Sequence, residues 1–509
     1  MIGFGRIGCA VLCAVLGFRC VLAGENNWPT PLEISGFSRN STTSEISMYL
    51  RGLAAAEAGL ARVELLGRSV EGRPLELLRL TGPRVVEPVP RLRVLIIGSQ
   101  HGGAEPAGGE ALTSLARELL TEGLRPLLKD LDLFLLSNAN PDGRDLKRRA
   151  NAHRVNLNTD FVLLSQPESQ ALKIALDRYR PDVVLDVHES AVLKRDTLAR
   201  EGYVTDFDAQ FDVASNPAIP SALRAYAQAT FLPALLAETS RGGLTAQRYL
   251  GEITHLHQPV TNGGLTLRNF RNAAGMTGAL SVLLETKLDP RIDSYPTYRN
   301  LKVRVDRQLR CLRAFLTLVA AHRAEIKAQT RVARAALQTE DLVLSAAYVK
   351  DPLRPMVRLP MRRLDTRQRE VLAFPDHRRL VIGAAAPLPQ RLLITAHTAL
   401  LQPILARQQI RCISANSDQP VSVTALRLSP RSTDVGSPEA AAEVTTTVAL
   451  PPGSLRVDLN QLNGRLAAVL LDPRAPGSLF DYPAFKALLR PGEAFFIYRV
   501  GRQAPRNVP

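Results

Sequence analysis

The stretch LRVLIIGSQHGGAEPAGGE, residues 92–110, decides the fold of the first half of the protein. Residues 92–97 are almost all apolar and are followed by Gly98, a pattern that predicts a short buried β-strand. A glycine-rich loop comes next and carries His101 and Glu105. Because both side-chain types bind metal ions, we interpret these two residues as ligands of one ion.

A second apolar stretch, PDVVLDVHES at residues 181–190, carries His188 near its end. The carboxyl ends of parallel strands converge on one crevice, so two strand ends can bring distant residues to a single ion. A catalytic zinc ion commonly takes two histidines and one glutamate and leaves a fourth position open. His188 is therefore the candidate third ligand, and the alternative is that both histidines only cap the mouths of loops.

A third apolar strand is predicted within residues 268–290, and it ends on Glu285. A carboxylate in the same crevice could take a proton from water and pass it to a leaving amine. The alternative is a structural role, in which Glu285 forms an ion pair with Lys287.

The remaining elements of this half follow from periodicity and turn residues. Helices are predicted over residues 45–65, 109–120 and 167–178, and two short strands flank a turn at residues 72–74. A further strand at residues 131–137 leads into a long polar loop, residues 138–161. Such a loop at a strand end is where substrate-binding groups are expected.

Residues 1–23 have Arg6 near the start and an apolar run that is too short to favour a membrane span. We interpret them as a secretory signal, with an uncleaved anchor as the alternative, and predict a secreted or periplasmic protein without a stable span after cleavage. The formal net charge of the protein is +16. This charge favours an anionic partner such as a cell-envelope polymer, although an arginine-rich surface that is only solvated is the simpler interpretation. A nucleic acid is not expected because no nucleic-acid-binding motif is visible.

Three of the five cysteines lie in the predicted signal, which leaves Cys311 and Cys412. Two cysteines so far apart form neither a cysteine zinc site nor a disulfide framework. We predict two free, buried thiols, and a single disulfide is the alternative.

The sequence changes character beyond residue 337. Residues 298–337 are predicted to form one long amphipathic helix that closes a domain of residues 24–337. Residues 338–509 contain short β-type runs between Pro, Gly, Ser and Asp turns, and a helix around residues 393–407. We predict a smaller, β-rich accessory domain without a catalytic constellation.

Taken in order, the motifs GRSVEGRP, HGGAEPAGGEAL, NPDG, NLNTDF, DVHE and LLET resemble those of the zinc metallocarboxypeptidase family. The resemblance covers residues 45–325. It implies an α/β fold with three α/β/α layers and a mixed, mostly parallel sheet, and it implies one zinc ion per protein molecule.

The resemblance also implies residue roles. The zinc ligands would be His101, Glu105 and His188, and Glu285 matches the catalytic glutamate of the family. Arg149 matches the arginine that polarises the scissile carbonyl, and Asn158 matches an asparagine that holds the terminal carboxylate of the substrate.

Two departures from the family pattern affect the metal site. The usual HxxE spacing is HxxxE here, and we expect Gly102 and Gly103 to absorb the extra residue in a bulge. Glu105 is kept as the ligand, with Glu110 as a substitute. Asn156 replaces an aspartate that resembles the carboxylate orienting a zinc histidine.

The substrate side also departs from the pattern. Thr159 stands where the family has an arginine that forks onto the terminal carboxylate, a contact that a threonine cannot make. Arg268 or Arg271 could supply a replacement charge, and either could instead be a surface arginine. Tyr249 is the nearest candidate for a substrate-capping tyrosine, although packing is the simpler interpretation.

The other histidines considered are interpreted as non-ligands: His153, His255 and His257. The sequence thus predicts a secreted zinc metallocarboxypeptidase that hydrolyses C-terminal peptide bonds. The alternatives are a cell-wall peptide amidase of the same fold and a non-catalytic envelope binding protein that has kept the fold.

Overall fold

The structure is a computed structural model that describes residues 28–83, 89–121, 123–191, 198–288, 300–429 and 441–501. The predicted signal, residues 1–23, lies outside the described residues. Within the described ranges, no helix has both the length and the apolar character that a membrane crossing requires.

One mixed sheet is the centre of the first half. The strands described between residues 61 and 287 are β1 (Ala61–Arg68), β2 (Pro74–Leu80), β3 (Leu92–Gly98), β4 (Leu131–Leu136), β5 (Val183–Ser190), β6 (Tyr203–Thr205), β7 (Ala209–Val213), β8 (Ala246–Arg248) and β9 (Leu280–Lys287). All except β6 join this sheet, in the order β1-β2-β4-β3-β5-β9-β7-β8. The central strands β4, β3, β5 and β9 are parallel to one another. The predicted mixed, mostly parallel sheet is therefore confirmed.

Helices cover both faces of this sheet. They are α1 (Pro31–Ile34), α2 (Thr43–Ala56), α3 (Ala107–Leu120), α4 (Pro141–Asp145), α5 (Pro167–Tyr179), α6 (Ser221–Tyr226), α7 (Leu232–Arg241), α8 (Phe270–Gly275), α9 (Leu301–Ala321) and α10 (Arg323–Ala336). Successive residues of a strand point to opposite faces, so Val94 and Ile96 of β3 join a core with α3 and α9. Leu95 and Ile97 join the other core, with α5 and α8. The result is the three-layer α/β/α arrangement.

The predicted single helix over residues 298–337 is wrong in one respect, because the structure divides it into α9 and α10. The division falls at His322, whose backbone has non-helical φ and ψ angles of −98° and 20°. Beyond it, Lys327 and Arg334 of α10 donate to the buried carboxylate of Asp182, just before β5, at 2.7 and 2.9 Å. Amphipathic periodicity continues through both helices, so the periodicity alone could not show the break.

The second half is rich in β-strands, as predicted. Its strands are β10 (Leu342–Val349), β11 (Met356–Arg363), β12 (Arg369–Pro375), β13 (Arg379–Ala386), β14 (Arg391–Ile394), β15 (Ile413–Ser414), β16 (Ser417–Leu428), β17 (Ala441–Leu450), β18 (Leu455–Asp458) and β19 (Ile497–Val500). The helices are α11 (Thr398–Arg407), α12 (Gly464–Leu471) and α13 (Pro483–Lys486). The predicted helix at residues 393–407 begins later than expected, because its first residues belong to β14. Cys311 and Cys412 are both free thiols, as predicted, but the prediction that both are buried is wrong for Cys412, which is partly exposed.

The second half packs tightly against the first. Strand β11 pairs antiparallel with β6, which adds a hairpin to a segment of the first half. The buried guanidinium of Arg465 donates to the carbonyl oxygens of Ala218, Glu340 and Asp341 at 2.6, 2.6 and 2.8 Å. The domain boundary at residue 338 stays a prediction, and these contacts couple the two halves mechanically.

Candidate active site

Three side chains meet at the carboxyl ends of β3 and β5. The Nδ1 atom of His101 lies 2.8 Å from Glu105 Oε2, and the Nδ1 atom of His188 lies 3.2 Å from the same oxygen. The two Nδ1 atoms are 3.2 Å apart. All three residues are buried, and their ligand atoms lie within 4.8 Å of one another.

These separations fit one zinc ion. With zinc–nitrogen distances of about 2.0–2.1 Å, two ligands of a tetrahedral ion lie about 3.3 Å apart. The observed separations of 2.8 to 3.2 Å are close to that value. Two imidazoles and one carboxylate are also the donor types that catalytic zinc prefers, with a fourth position left open.

The extra residue between His101 and Glu105 is absorbed in a turn of 3₁₀-helix, Gly102–Ala104. Gly102 has a φ of +48°, which residues with a Cβ atom rarely adopt. The substitute ligand Glu110 is occupied elsewhere, since its carboxylate pairs with buried Arg144 at 2.8 Å. Within the described residues, Glu105 is therefore the carboxylate that meets the two histidines.

Each histidine is oriented by a partner on its other ring nitrogen. His101 Nε2 lies 3.1 Å from the amide oxygen of Asn156, and His188 Nε2 lies 2.9 Å from a carboxylate oxygen of Asp186. Such partners fix the ring orientation and the tautomer of a metal-binding histidine. Asp186 was missed in the sequence, although it stands two residues before His188 in the same strand and so shares its face.

The electrostatics of the cluster keep Glu105 ionised. Burial raises the pKa of Glu105, but the charges of His101 and Arg149 outweigh burial and hold the pKa well below its usual value. Burial lowers the pKa of His101, and Glu105 offsets only part of this effect. Burial also lowers the pKa of His188, but the carboxylates of Asp186, Glu105 and Glu285 together more than reverse that effect, and the pKa is raised. An ionised carboxylate is the form that binds a metal ion.

Glu285 lies beside this cluster. It is the register partner of His188 in the parallel pair β5–β9, which puts both side chains on the same face of the sheet. Ser190 donates a hydrogen bond of 2.7 Å to Glu285 Oε2. Burial is the main reason that the pKa of Glu285 is raised, to about 7. The alternative partner, Lys287, lies 3.8 Å from Asp206 instead.

Arg149 and Asn158 both reach the cluster. Arg149 forms an ion pair with Glu105 Oε1, and about a third of its side chain, 37 %, is exposed. The amide nitrogen of Asn158 lies 3.4 Å from His188 Nε2, and its oxygen accepts a 2.8 Å hydrogen bond from the backbone of Phe270. These two residues therefore border the metal site from the polar loop.

The remaining substrate-side candidates have other partners. The hydroxyl of Thr159 donates to the Asn156 carbonyl at 2.8 Å. The guanidinium of Arg268 stacks over the ring of Tyr482 at 4.1 Å. Arg271 is buried and donates to a carboxylate oxygen of Asp212 at 2.8 Å. The structure thus gives each of the three a contact away from the metal cluster.

A cleft of about 250 Å³ opens next to the cluster. Its lining includes Glu105, Arg149, Gln210, Tyr249 and Glu285. Burial raises the pKa of the Tyr249 hydroxyl, which therefore stays protonated at neutral pH.

The three histidines interpreted as non-ligands are not part of the cluster. His153 Nδ1 lies 2.9 Å from Gln166 Oε1, and His255 and His257 are exposed.

Parts of the chain are similar in sequence to known carboxypeptidases. Residues 46–183 match the zinc carboxypeptidase family, a range that includes His101 and Glu105 but ends before His188 and Glu285. Carboxypeptidase 2 of Trichophyton rubrum is 25 % identical over 495 residues, which cover 92 % of this chain and 87 % of the relative. Probable carboxypeptidase 2 of Trichophyton verrucosum is 28 % identical over 260 residues, 50 % of this chain and 49 % of the relative. The chain thus spans about half the length of that relative and of the one from Arthroderma benhamiae.

Among solved structures, a metallo-carboxypeptidase from Burkholderia cenocepacia superposes with a TM-score of 0.43 at 20 % identity, covering 55 % of this chain and 70 % of that protein.

Proposed function

Residues 46–183 belong to the zinc carboxypeptidase family, and from this premise we propose that the protein is a zinc-dependent carboxypeptidase that hydrolyses C-terminal peptide bonds. The observation that carries the proposal is the meeting of three ligand atoms within 4.8 Å, with Glu285 on the adjacent strand. A histidine-only cluster would fit many metal proteins. A catalytic carboxylate next to an open zinc position fits hydrolysis.

We assign His101, Glu105 and His188 to one zinc ion per protein molecule. When bound, zinc lowers the pKa of a coordinated water molecule and polarises a carbonyl group. Asn156 and Asp186 would hold the two imidazoles with Nδ1 towards the ion. The three ligand side chains are themselves almost completely buried.

Glu285 is assigned to proton transfer. Ser190 holds Oε2 by a 2.7 Å hydrogen bond, so Oε1 is the atom that we assign to the proton. It would accept the proton from water during attack and release it to the leaving amine, the role of a general base that then becomes a general acid.

Arg149 is assigned to the oxygen of the scissile carbonyl. Its guanidinium contacts the ligand Glu105 and remains partly exposed on the cleft side. A fixed cation at that place stabilises negative charge that develops on the carbonyl oxygen during attack. Asn158 is assigned to the terminal carboxylate, because its amide group lies beside His188 at the same rim.

A second candidate is an amidase that acts on peptide amides in the cell wall. The observation in its favour is Thr159, whose hydroxyl is bonded to the Asn156 carbonyl and supplies no charge. The carboxypeptidase proposal has three further parts. The family match supports a peptide substrate, residues 1–23 support a secreted or periplasmic location, and the net charge of +16 supports an anionic envelope partner.

The test compares the wild-type protein with Glu285→Gln. We expect both proteins to contain about one zinc per molecule, and the variant to lose about 100-fold or more in the hydrolysis rate of a free-carboxylate peptide. Glu325→Gln is the matched control, because Glu325 is an exposed glutamate that contacts His322. Zinc-free protein after zinc supplementation, or a Glu285→Gln variant as active as the control, would contradict the proposal.

A further inference from the structure

We propose that Arg304 and Gln308 of α9 are positioning residues for the metal site. They fix the distances between three segments of the chain: the loop from His101 to Glu105, the end of β5 and the end of β9. Both residues act through other residues, and neither is a metal ligand or a group that reacts. This inference rests on the proposed function, because it gives the two residues a role towards the zinc ion.

Arg304 and Gln308 lie one turn apart on the face of α9 that packs against the sheet. Residues four apart on a helix are neighbours on its surface, about 6 Å apart along the axis. Both side chains are almost completely buried, with exposures of 1 % for Arg304 and 0 % for Gln308. Buried polar groups cost folding free energy unless they form hydrogen bonds. Their hydrogen-bond partners therefore show which segments the two residues hold.

Arg304 holds Glu189, the residue that follows His188. Its Nε and Nη2 atoms donate to Glu189 Oε1 and Oε2 at 2.7 and 2.9 Å, the bidentate geometry of a strong arginine–carboxylate pair. Glu189 Oε2 also accepts a 3.0 Å hydrogen bond from the backbone N–H of Ala107, the first residue of α3. Since Ala107 follows Glu105 by two residues, the Glu189 carboxylate links the end of β5 to the end of the loop that carries two ligands.

The backbone of Glu189 makes a second link between the same segments. Its N–H donates to Glu105 Oε2 at 3.2 Å. This oxygen is also the one that faces the Nδ1 atoms of His101 and His188. A shift of residue 189 would therefore disturb a hydrogen bond to the ligand oxygen, and the pair with Arg304 holds residue 189 from the side of α9.

Gln308 holds the ends of two strands at once. Its Nε2 atom donates to the backbone carbonyl oxygen of His188 at 2.8 Å and to Thr286 Oγ1 at 2.7 Å. Thr286 follows Glu285 and is the register partner of Glu189 in the parallel pair β5–β9. One amide group thus ties the strand end that carries His188 to the strand end that carries Glu285.

These contacts differ from those of the residues that orient the imidazole rings. Asn156 and Asp186 each contact a ring nitrogen, whereas Arg304 and Gln308 hold the backbone segments on which the ligands and Glu285 stand. Removal of a group that supports a metal ligand typically weakens metal binding about 10- to 100-fold. Loss of Arg304 or Gln308 should therefore loosen the site although every ligand is still present.

The test measures zinc affinity by competition with a fluorescent chelator, and the visible absorption spectrum of the cobalt-substituted protein, which depends on ligand geometry. Thermal unfolding in excess chelator gives the stability of the metal-free protein, and affinities are compared at a temperature at which every variant stays folded without metal. The variants are Arg304→Met, Arg304→Lys, which keeps the charge but loses the fork, and Gln308→Met, an uncharged and unbranched replacement.

Arg313→Met is the matched control. Arg313 lies on the same helix and donates to a carboxylate oxygen of Glu118 at 2.8 Å, but its side chain is 45 % exposed. This variant therefore removes an arginine–glutamate pair of α9 that does not support a segment of the metal site.

We expect Gln308→Met to bind zinc about 10-fold more weakly and Arg304→Met about 100-fold more weakly, with Arg304→Lys between Arg304→Met and the wild-type protein. Each of these variants should also change the cobalt spectrum, whereas Arg313→Met should match the wild-type protein in both measurements. Arg304→Met leaves the Glu189 carboxylate buried without its cation and could fail to fold. In that case Arg304→Lys and Gln308→Met decide the outcome.

Zinc affinities and cobalt spectra of Arg304→Lys and Gln308→Met that equal those of the control would overturn the positioning role, even if the unfolding temperatures fell. Failure of the proposed function gives different results. Wild-type protein that binds neither zinc nor cobalt would contradict the proposed function, and the positioning role with it. Wild-type protein that binds zinc but hydrolyses no peptide would contradict the proposed function alone, and the affinities of the variants would still decide the positioning role.

Discussion

Replacing Gly103 by alanine tests how closely the metal loop, the segment from His101 to Glu105, approaches the polar loop of residues 138–161. Gly103 lies in the turn between His101 and Glu105, and its backbone N–H donates to the Arg148 carbonyl at 3.1 Å. A Cβ atom at this position would lie 2.6 Å from Lys147 Cα and 3.0 Å from the Arg144 carbonyl oxygen. Both neighbours are backbone atoms, so neither can make room by a rotation about a side-chain bond.

The expected losses of stability and of zinc affinity follow from the steric overlap between the added Cβ atom and these backbone atoms. Relief to an ordinary contact of 3.4 Å requires the turn to move by about 0.8 Å, the difference between 3.4 and 2.6 Å. Overpacking of this kind costs about 1–3 kcal/mol of folding free energy. Glu105 follows two residues later, so the same shift would move its carboxylate away from the two Nδ1 atoms. Displacing the support of a metal ligand typically weakens metal binding by about 10- to 100-fold.

The assay is competition for zinc between the protein and a fluorescent chelator, accompanied by thermal unfolding in excess chelator. Gly59→Ala is the matched control, because a Cβ at Gly59 meets no atom within 4 Å and its φ is not positive. We expect Gly103→Ala to bind zinc more weakly and to unfold at a lower temperature than this control. Equal zinc affinity and equal unfolding temperature in the two variants would refute the reasoning.

Two further predictions concern the surroundings of the metal loop. Arg144→Met should destabilise the protein by about 3–5 kcal/mol, because it leaves the buried Glu110 carboxylate without the guanidinium that lies 2.8 Å away. Urea unfolding of this variant should have a lower midpoint than that of the wild-type protein. An unchanged midpoint would contradict a stabilising role of the buried pair. Asn156→Asp should tighten zinc binding by about 10-fold, because a carboxylate that accepts from His101 Nε2 makes the imidazole a stronger donor. The chelator competition measures this change, and weaker or equal binding would count against the orienting role of residue 156.

The positions of the strands around the candidate metal site, and the three residues that meet in it, could be predicted from the sequence. The apolar runs that end near His101, His188 and Glu285 were each predicted as strands, and the structure has β3, β5 and β9 there. Such runs are encoded locally, by the spacing of apolar side chains and by the glycines and polar residues that end them. The α/β/α arrangement followed from the resemblance in motif order.

Side-chain pairings between residues that are distant in the sequence could not be predicted from the sequence. Asp186 was overlooked as the partner of His188, and Arg268 and Arg271 were proposed for the substrate, whereas the structure engages them with Tyr482 and Asp212.

The sequence by itself determined that the apolar runs before His101, His188 and Glu285 become strands, and which side chains with metal-binding chemistry stand at the ends of these strands, whereas residues 61–65, predicted as helix, begin β1. Only the tertiary structure decided that His188 and Glu285 are register partners, that the residues after α9 turn at His322, and which arginines are already paired. The physical reason is the range of the interactions. Strand formation depends on neighbours along the sequence, whereas register and charge pairing depend on side chains that folding brings together from up to hundreds of residues away.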